Sequence, residues 1–395
     1  MTEQFRQTCD ELISALREVL GQPESPLSLH EPEFAGNEWA YVKECIDTGW
    51  VSSVGKFVDG FERQLVEVTG ARHAVAVVNG TAALHMALLL AGVRAGDEVL
   101  VPAMSFVGTA NSVAHAGAVP HFVDSESRTL GMDPQALRLH LERIAEKSTN
   151  GWRNRDTGRR LAAIVPMHAF GHAVDLDGLM AVANDYGLPV IEDAAESLGS
   201  SYNGRHTGTF GMLGILSFNG NKVITTGGGG AILTNDEALA RRAKHLTTTA
   251  KKPHRWAFVH EEVAYNYRLP NINAALGCAQ LERLPDFLSR KRQLAQRYRE
   301  VFARSSAFEF VDQPESCESN FWLVAVRLRH PNAELRDALL AAVNDAGYHC
   351  RPVWTLLNKL PMYLDCPRAE LPVAQAIEDS LINLPSSPKL LQQAK

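Results

Sequence analysis

The sequence predicts an α/β protein with a mainly parallel central sheet. From residue 73 to residue 220, short apolar and often β-branched runs alternate with helical segments of about ten residues. This alternation is typical of βαβ units, in which helices cover both faces of a parallel sheet. After Pro270 the pattern changes to a long helical stretch followed by strands and short helices, which predicts a smaller α+β domain.

The predicted elements follow one another in a regular order. An amphipathic helix, MTEQFRQTCDELISALREVL, opens the chain, and another runs from about Asn37 to Asp47 and is closed by Gly49. The expected strands are HAVAVVN, DEVLVPA, VPHFVD, LAAIVPMHAF, LPVIEDAAE and ILSFNG, and the helices between them are GTAALHMALLLAG, SFVGTANSVAHAG and LDGLMAVANDYG. Beyond Pro270, one long helix or a bent pair of helices is expected, interrupted near Pro285.

These elements divide the chain into three expected parts. Residues 1–30 form an N-terminal helical extension, residues 31–275 form the large domain that should carry the ligand, and residues 276–395 form the small C-terminal domain. In an open parallel sheet, ligands bind at the carboxyl ends of the strands. The functional site is therefore expected in the large domain.

The bulk composition excludes several classes of protein. The 395 residues are 45% hydrophobic and 21% charged, with a formal net charge of -6. This mild acidity, together with the lack of a long basic run, argues against nucleic-acid binding. No apolar run reaches the ~20 residues of a membrane helix, and the first helix lacks the pattern of a signal peptide. We therefore expect a cytoplasmic protein with no nucleic-acid partner and no membrane partner.

The cysteines and histidines predict no metal site. The six cysteines are scattered without a C-x-x-C pair, which fits reduced, packed thiols. His168 and His172 have the spacing of two ligands on one helix face, but they lie where a strand runs into a loop, and no third ligand is evident.

The stretch from Gly211 to Asp236 contains a single lysine, Lys222, among small, apolar and hydroxyl residues. The strand ILSF precedes it, and four consecutive glycines, 227–230, follow it. Such glycines suit a loop that turns with positive φ and lies against a bulky ligand. Taken alone, the stretch fits a reactive lysine and a hairpin with an incidental lysine equally well.

Two further strand ends carry candidate binding groups. Gly80, Thr81 and Ala82 open a helix directly after a strand, where unpaired amides and the helix dipole attract a phosphate. Taken alone, this segment fits a threonine N-cap better. Asp193 ends the strand LPVIED, and a partly desolvated carboxylate there favours a facing cation or a protonated ring nitrogen. A cap on the following helix is an equal alternative.

One cofactor, pyridoxal phosphate, requires all of these groups together. It needs a lysine for a Schiff base, an acid at its pyridine nitrogen, a helix N-terminus for its phosphate and often an aromatic ring on its face. Lys222, Asp193, the segment Gly80 to Ala82 and Phe106 would supply these groups. The combination predicts a pyridoxal phosphate enzyme.

Four longer motifs carry a family resemblance. They are VNGTAALHMALLLAGVRAGDEVLVPAMSF, VIEDAAESLGS, LSFNGNKVITTGGGGAILTND and YNYRLPNINAALG. In this order they resemble the nucleotide-sugar aminotransferases of the DegT/DnrJ/EryC1/StrS family, and the resemblance extends from about Leu27 to Pro388. It implies fold type I, with a mainly parallel seven-stranded sheet in an α/β/α sandwich.

The resemblance also implies roles for individual residues at the cofactor. Lys222 would hold it as an internal aldimine, Asp193 would pair with the pyridine nitrogen, and Phe106 would stack on the ring. Glu196, where the family often has glutamine, would lie near the 3-hydroxyl and the sugar. Ser217 would bind the phosphate beside Gly80 and the Thr81 and Ala82 backbones, and Asn266 would reach the neighbouring subunit's phosphate. A homodimer with shared active sites is therefore expected.

The implied reaction has two halves. L-glutamate gives its amino group and leaves as 2-oxoglutarate, with pyridoxamine phosphate as the carrier, and the amine then passes to the ketone of a nucleotide-linked 4-keto sugar. Gly228 stands where many members have glutamate. Together with the segments 29–62 and 350–374, this resembles the subgroup acting on UDP-2-acetamido-2,6-dideoxy-4-keto-hexoses in legionaminic acid and bacillosamine pathways. The expected product is UDP-4-amino-4,6-dideoxy-N-acetylglucosamine or an epimer.

Other functions stay open at this point. A GDP-linked or dTDP-linked ketosugar aminated at C4 or C3, as by a perosamine synthase, is the nearest alternative. The family's dehydratase branch has histidine in place of Lys222, and a non-enzymatic ligand-binding regulator on the same fold is a third possibility. Ser52, His168 and Arg268 are candidate substrate residues, although His168 fits a satisfied strand-end histidine equally well. Trp354 and Tyr363 are expected in the core or an interface.

Overall fold

Helices and strands alternate along the large domain, as the sequence predicts. The computed structural model describes residues 3–149 and 151–393. The α-helices in these residues are α1 (Glu3–Leu20), α2 (Glu38–Thr48), α3 (Lys56–Thr69), α4 (Gly80–Leu90), α5 (Val107–His115), α6 (Pro134–Ile144), α7 (Leu176–Tyr186), α8 (Glu237–Thr247), α9 (Asn271–Phe302), α10 (Ala333–Asp345), α11 (Pro372–Ser380) and α12 (Leu390–Gln393). Short 3-10 helices lie at Ala169–Gly171, Leu357–Lys359 and Pro361–Tyr363.

The strands form one large sheet, one small sheet and two minor pieces. They are β1 (His73–Val77), β2 (Glu98–Pro102), β3 (Val119–Val123), β4 (Ala145–Ser148), β5 (Gly151–Asn154), β6 (Leu161–Ile164), β7 (Ile191–Asp193), β8 (Ser201–Tyr202), β9 (Arg205–His206), β10 (Leu213–Ser217), β11 (Gly230–Thr234), β12 (Phe308–Phe310), β13 (Cys317–Glu318), β14 (Val324–Leu328), β15 (Arg351–Pro352) and β16 (Leu381–Leu384). The minor pieces are the hairpin of β4 with β5 and a ribbon of β13, β8 and β9.

The large sheet has seven strands in the order β1-β11-β10-β7-β6-β2-β3. Two ladders, β1-β11-β10-β7 and β3-β2-β6, meet through parallel bridges that join Ile164 to Val190 and Met167 to Asp193. β11 pairs antiparallel with both of its neighbours, and the other six strands run in one direction. The predicted α/β class and the mainly parallel seven-stranded sheet are confirmed.

The core explains why these strands lack an alternating pattern. Strands β2 and β11 are buried at every residue, because helices cover both faces of the sheet. The carboxyl ends of the parallel strands lie at one edge of the sheet, where each strand leads into a loop or a helix N-terminus. This edge forms the site described below.

The C-terminal part has its own sheet and core. Its antiparallel sheet has the order β12-β14-β16-β15. Leu12, Leu16 and Val19 of α1 lie in the same buried cluster as Leu294 and Tyr298 of α9. The N-terminal helix is therefore packed against the small domain.

One long helix connects the two parts of the chain. The helix α9 spans 32 residues in all and passes through Pro285, so one long helix is confirmed and the expected interruption near this proline was wrong. Pro285 removes one backbone hydrogen bond, but Leu284 and Phe287 on either side are buried and hold the helix against the core. The expected domain boundary after residue 275 falls inside α9. Among residues 3–149 and 151–393, no helix combines the length and the apolar character required to cross a lipid bilayer.

Candidate active site

A cavity of about 290 Å³ lies at the carboxyl edge of the large sheet. The ends of β1, β6, β7 and β10 contribute its wall, and the segments around Trp322 and Trp354 close it from the small-domain side. Seven of the sequence-predicted residues line it: Gly80, Thr81, Phe106, Asp193, Glu196, Ser217 and Lys222. Residues far apart in sequence therefore meet as the parallel-strand argument predicts.

Lys222 lies on the loop after β10, and its amine points into the cavity. Its Nζ donates to Glu196 Oε1 at 3.1 Å and lies 3.8 Å from the centroid of the Trp322 ring. The side chain is 13% exposed. A largely buried amine with one carboxyl partner and open space in front of it is suited to forming a covalent bond to a carbonyl ligand.

Asp193 closes the floor of the cavity at the end of β7. Its Oδ2 accepts from the Thr109 hydroxyl at 2.7 Å, and its Oδ1 accepts from the Ala195 amide at 3.2 Å. Burial raises the pKa of this carboxyl, although the Thr109 and Ala195 hydrogen bonds and the charge of Lys222 act in the opposite direction. A carboxylate held in this way gains most from a cationic partner that fills the cavity.

The N-terminus of α4 forms one end of the cavity. Asn79, rather than Thr81, is the N-cap, and its Oδ1 accepts from the Ala82 amide at 2.8 Å. The amides of Gly80 and Thr81 have no acceptor in the part of the chain that the structure describes. These two amides are free for an anion, whereas the Ala82 amide, which was expected to take part, is already bonded.

Close packing explains the glycine at the start of α4. A Cβ at Gly80 would lie 3.0 Å from the Ser217 Cβ and 3.3 Å from its Oγ. The absence of a side chain at Gly80 lets Ser217 pack against the helix N-terminus, so the Ser217 hydroxyl and the free amides line the same end of the cavity. Such a cradle suits a phosphate.

Phe106 forms the opposite wall, at the N-cap of α5. Half of its surface is exposed, and its ring meets Trp354 edge-on, with centroids 6.4 Å apart. Trp354 in turn stacks on Phe170 at 5.2 Å. The free face of Phe106 is available to a flat ligand.

Glu196 bridges Lys222 to the backbone. Its Oε2 accepts from the Phe170 amide at 2.9 Å, and the residue is 2% exposed. Burial raises the pKa of this carboxyl to about 7, although the charge of Lys222 and the Phe170 amide favour the ionised form. Glu196 can therefore gain or lose a proton near neutral pH beside the reactive amine.

The expectation that His168 contacts the substrate is corrected, because this residue does not line the cavity. Its Nε2 lies 3.0 Å from Glu192 Oε2, and its Nδ1 accepts from the Val174 amide at 3.3 Å. The imidazole is fully buried, with both nitrogens bonded. The preceding residue, Met167, lines the cavity instead. The side chain of His168 is thus a packed structural group rather than a substrate contact.

Three other candidates do not line this cavity. Ser52 and Asn266 are exposed, and Arg268 is half-buried, with its Nε buried and unpartnered among the described residues. Within the described residues, no three histidine, cysteine or acidic side chains lie where they could hold a metal ion.

Four residues of the site were missed or misjudged from sequence. Thr109 holds Asp193, Asn221 adjoins Lys222, and Trp322 covers the amine, while Trp354 was expected in the core or an interface. The sequence does contain a signal for Thr109, because Ser105 and Thr109 are four residues apart at the start of a helix, a spacing that brings two side chains together. Their hydroxyls lie 2.7 Å apart in the structure. No local pattern indicates Trp322.

The cavity fits pyridoxal phosphate group by group. The donors at Gly80, Thr81 and Ser217 match a phosphate, the Asp193 carboxylate matches a pyridinium nitrogen, and the Lys222 amine matches an aldehyde. The cavity is also narrow where Gly108 passes Phe106, since a Cβ at Gly108 would lie 3.0 Å from the ring. A flat ring rather than a bulky group is accommodated there.

A family model described as the DegT/DnrJ/EryC1/StrS aminotransferase family matches residues 32–394. The chain belongs to this family. GDP-perosamine synthase of Escherichia coli O157:H7 is similar, with 37% identity over 364 residues that cover 92% of this chain and 94% of the relative. The aminotransferase TlmJ of Streptoalloteichus hindustanus has a similar structure, with a TM-score of 0.83, 27% identity and coverage of 93% and 98%.

A third relative was solved with a sugar nucleotide. DesI, in the presence of its TDP-sugar product, matches with a TM-score of 0.79 and 26% identity over 94% of this chain and 91% of that one. Membership of the family establishes the chain as a pyridoxal phosphate-dependent sugar aminotransferase of fold type I. The expected enzyme class and cofactor are confirmed, and the non-enzymatic alternative is set aside.

Proposed function

We propose that this aminotransferase transfers an amino group to C4 of a GDP-linked 4-keto sugar. GDP-perosamine synthases from two organisms are each 37% identical to the chain over more than nine tenths of its length. The solved relative with a TDP-sugar is 26% identical. These relatives favour the GDP-linked alternative over the UDP-linked 2-acetamido sugar that the sequence motifs suggested, and our proposal follows the alternative.

The observation that carries the chemistry is the meeting of Lys222, Asp193 and the N-terminus of α4 in one cavity. Bound pyridoxal phosphate supplies an aldehyde for amine capture and a ring that accepts the electrons released when a proton leaves the donor's α-carbon. Lys222 would hold the cofactor covalently through Nζ. The Gly80 and Thr81 amides and the Ser217 hydroxyl would bind its phosphate.

Lys222 also moves the proton. Once a donor amine has displaced it, the free Nζ would be a base within the same cavity, placed to take a proton from the donor's α-carbon and to hold it. Glu196, 3.1 Å from Nζ, can accept or supply a proton as the amine changes its charge. The same two groups serve the second half of the reaction in reverse.

Asp193 would hold the pyridine nitrogen of the cofactor in its protonated form. Its buried carboxylate has two donors, Thr109 and Ala195, and needs a cation on its open side. A pyridinium N–H⁺ would be such a cation, and the pairing would increase the ring's capacity to hold negative charge. Phe106 orients the ring through its free face.

We further propose L-glutamate as donor and a homodimer with shared sites. Large apolar side chains are exposed on two segments of the large domain, including Trp39 at 75%, Trp256 at 72% and Phe258 at 78%. Patches of this kind mark association surfaces. Asn266 and Arg268 lie outside their own chain's cavity and are candidates to reach the neighbouring one.

A panel of sugar nucleotides tests the substrate. Cofactor-loaded protein is incubated with isotope-labelled glutamate and equal amounts of GDP-linked, dTDP-linked and UDP-linked 4-keto sugars, and the sugar nucleotides are analysed by mass spectrometry. We expect the label in the GDP-linked product at the highest kcat/KM. Preferential labelling of the UDP-linked or dTDP-linked sugar would overturn the substrate proposal. Lys222→Arg serves as the inactive control.

Mixed dimers test the shared site. Lys222→Ala and Asn266→Asp protein are each expected to have little activity. If Asn266 completes the neighbouring site, mixed dimers contain one site with both native residues, and activity returns on mixing. Absence of recovery in a mixture shown to have exchanged subunits would contradict the shared site.

A further inference from the structure

The Lys222 amine rests on the face of an indole ring. Its Nζ lies 3.8 Å from the centroid of Trp322, well inside the distance at which a cation is attracted to an aromatic face. The Trp322 side chain lines the cavity, and the residue is 4% exposed. Because both groups are largely shielded from water, the attraction is of the stronger, desolvated kind.

The ring is tied to the same loop as the lysine. The indole N–H of Trp322 donates to the Asn221 carbonyl at 2.7 Å, one residue before Lys222. This bond fixes the plane of the indole relative to the backbone that carries the amine. The ring and the amine therefore keep their relative position if the loop shifts.

The backbone of Trp322 is connected through Asn320 to Glu196, the carboxyl partner of Lys222. Its amide donates to Asn320 Oδ1 at 2.7 Å, and the Asn320 side-chain amide donates to the Glu196 carbonyl at 2.9 Å. The Trp322 carbonyl accepts from the buried Lys291 at 3.1 Å. A tryptophan fixed on three sides, with one face turned to an ammonium, is a preorganised cation site.

The carboxyl partner cannot hold the ammonium at every pH. Burial raises the pKa of Glu196 to about 7, so its charge is partly lost near neutral pH. The face of Trp322 does not titrate. A long, flexible side chain such as lysine needs a constant partner if it is to stay in position between catalytic events.

We propose that Trp322 is a positioning residue for Lys222, holding the free ammonium on its indole face beside Glu196 whenever Nζ carries no covalent bond. This inference rests on the proposed role of Lys222. The ring restricts the amine to one wall of the cavity, leaves the centre open to substrate and keeps Nζ within reach of the reacting carbon. Since Trp322 precedes β14, the small domain supplies this support to a lysine of the large domain.

Two substitutions separate charge positioning from structural support. Trp322→Phe keeps an aromatic face but loses the N–H donor to Asn221, whereas Trp322→Leu loses both. Charge positioning predicts that phenylalanine retains most of kcat and that leucine loses roughly thirty-fold, which is the size of the ring attraction in a desolvated site. A purely structural hydrogen bond predicts equal losses. Trp152→Leu, which removes the ring beside Lys147 on the outer hairpin, is the matched control and should leave kcat unchanged.

A spectroscopic readout observes the contact without turnover. The lysines of the cofactor-free protein are converted to isotope-labelled dimethyl-lysines, which keep their charge, and the Lys222 signal is identified by its loss in Lys222→Arg. In the native protein, ring currents of Trp322 should shift this signal upfield. The shift should shrink in Trp322→Phe and vanish in Trp322→Leu.

The outcomes are distinguishable from failure of the proposed function. An unshifted Lys222 signal in the native protein, or equal kcat losses for phenylalanine and leucine, would overturn the positioning role. If the leucine variant does not fold, Trp322→Phe decides alone, because retained kcat with a smaller upfield shift supports the role and loss of both contradicts it. Borohydride reduction of the holoenzyme reports separately whether Lys222 carries the cofactor.

Discussion

The titration of Glu196 gives a quantitative prediction for the cofactor-free protein. The pKa of this carboxyl is about 7 in the folded chain, against an ordinary value of 4.5. Between these values the folded protein keeps a proton that the unfolded chain releases, so the free energy of unfolding falls as pH rises. Because the residue is only 2% exposed, solvent screening does not reduce the free energy that corresponds to this difference in pKa. A difference of ~2.5 units corresponds to about 3 kcal/mol.

The substitution Glu196→Gln removes this titration and keeps the shape of the side chain. We expect the native protein to be destabilised relative to Glu196→Gln by an amount that grows by about 3 kcal/mol from pH 4.5 to pH 8. The assay is urea unfolding of cofactor-free protein at fixed concentration across this range. The exposed Glu67→Gln variant is the control and should follow the native curve.

The refuting result is a constant difference between the native and Glu196→Gln proteins at all pH values. That result would mean that Glu196 ionises as in water or forms a fully charged pair with Lys222 throughout the range. The proposed exchange of a proton between these two groups near neutral pH would then be wrong.

Three further predictions concern the cofactor site. Lys222→Ala should lower kcat by at least roughly 10³-fold in steady-state assays, because base and covalent attachment are both lost, and near-native turnover would contradict its role. Thr109→Val removes a 2.7 Å hydrogen bond to the Asp193 carboxylate and should lower kcat/KM by roughly ten-fold or more, with an unchanged result arguing that Asp193 is held by other groups. Gly80→Ala should weaken cofactor binding measured by equilibrium dialysis, because the added Cβ would lie 3.0 Å from the Ser217 Cβ. Gly220→Ala is the control and should bind the cofactor normally, because no atom lies within 4 Å of its added Cβ. Equal affinities of the two variants would contradict the role of Gly80 in binding the phosphate.

The sequence predicted the parts of the site that follow from strand direction. Asp193 ends β7 and Lys222 lies on the loop after β10. These parallel strands have their carboxyl ends at one edge, so the meeting of the two residues needed no knowledge of side-chain packing. The glycine at position 80 was likewise readable, since a helix that opens directly after a strand presents its free amides at that edge.

The errors arise where side-chain direction decides. Successive residues of an extended segment point to opposite sides, so at the same sheet edge Met167 and Asp193 face the cavity, while His168 and Glu192 bond to each other behind it. Sequence position alone does not fix which member of each pair faces inward. Trp322 comes from the small domain, and its contact with Lys222 depends on how the two parts of the chain pack.

The substrate required more than local motifs. The Gly228 departure and the flanking segments suggested a UDP-linked sugar, whereas the residues that line the cavity match the groups of the cofactor and not those of a nucleotide. The glycine run shows only room beside Lys222, since the nearest atom to a Cβ at Gly228 lies 4.0 Å away.

The most direct test of the central claim is to locate the cofactor on the chain. Holoenzyme reduced with borohydride is digested, and the peptides that carry the reduced pyridoxyl group are identified by mass spectrometry. Lys222 is predicted to carry the group, and addition of glutamate before reduction should abolish the label. A label on another lysine, or no label on a protein that is active with glutamate, would contradict the account.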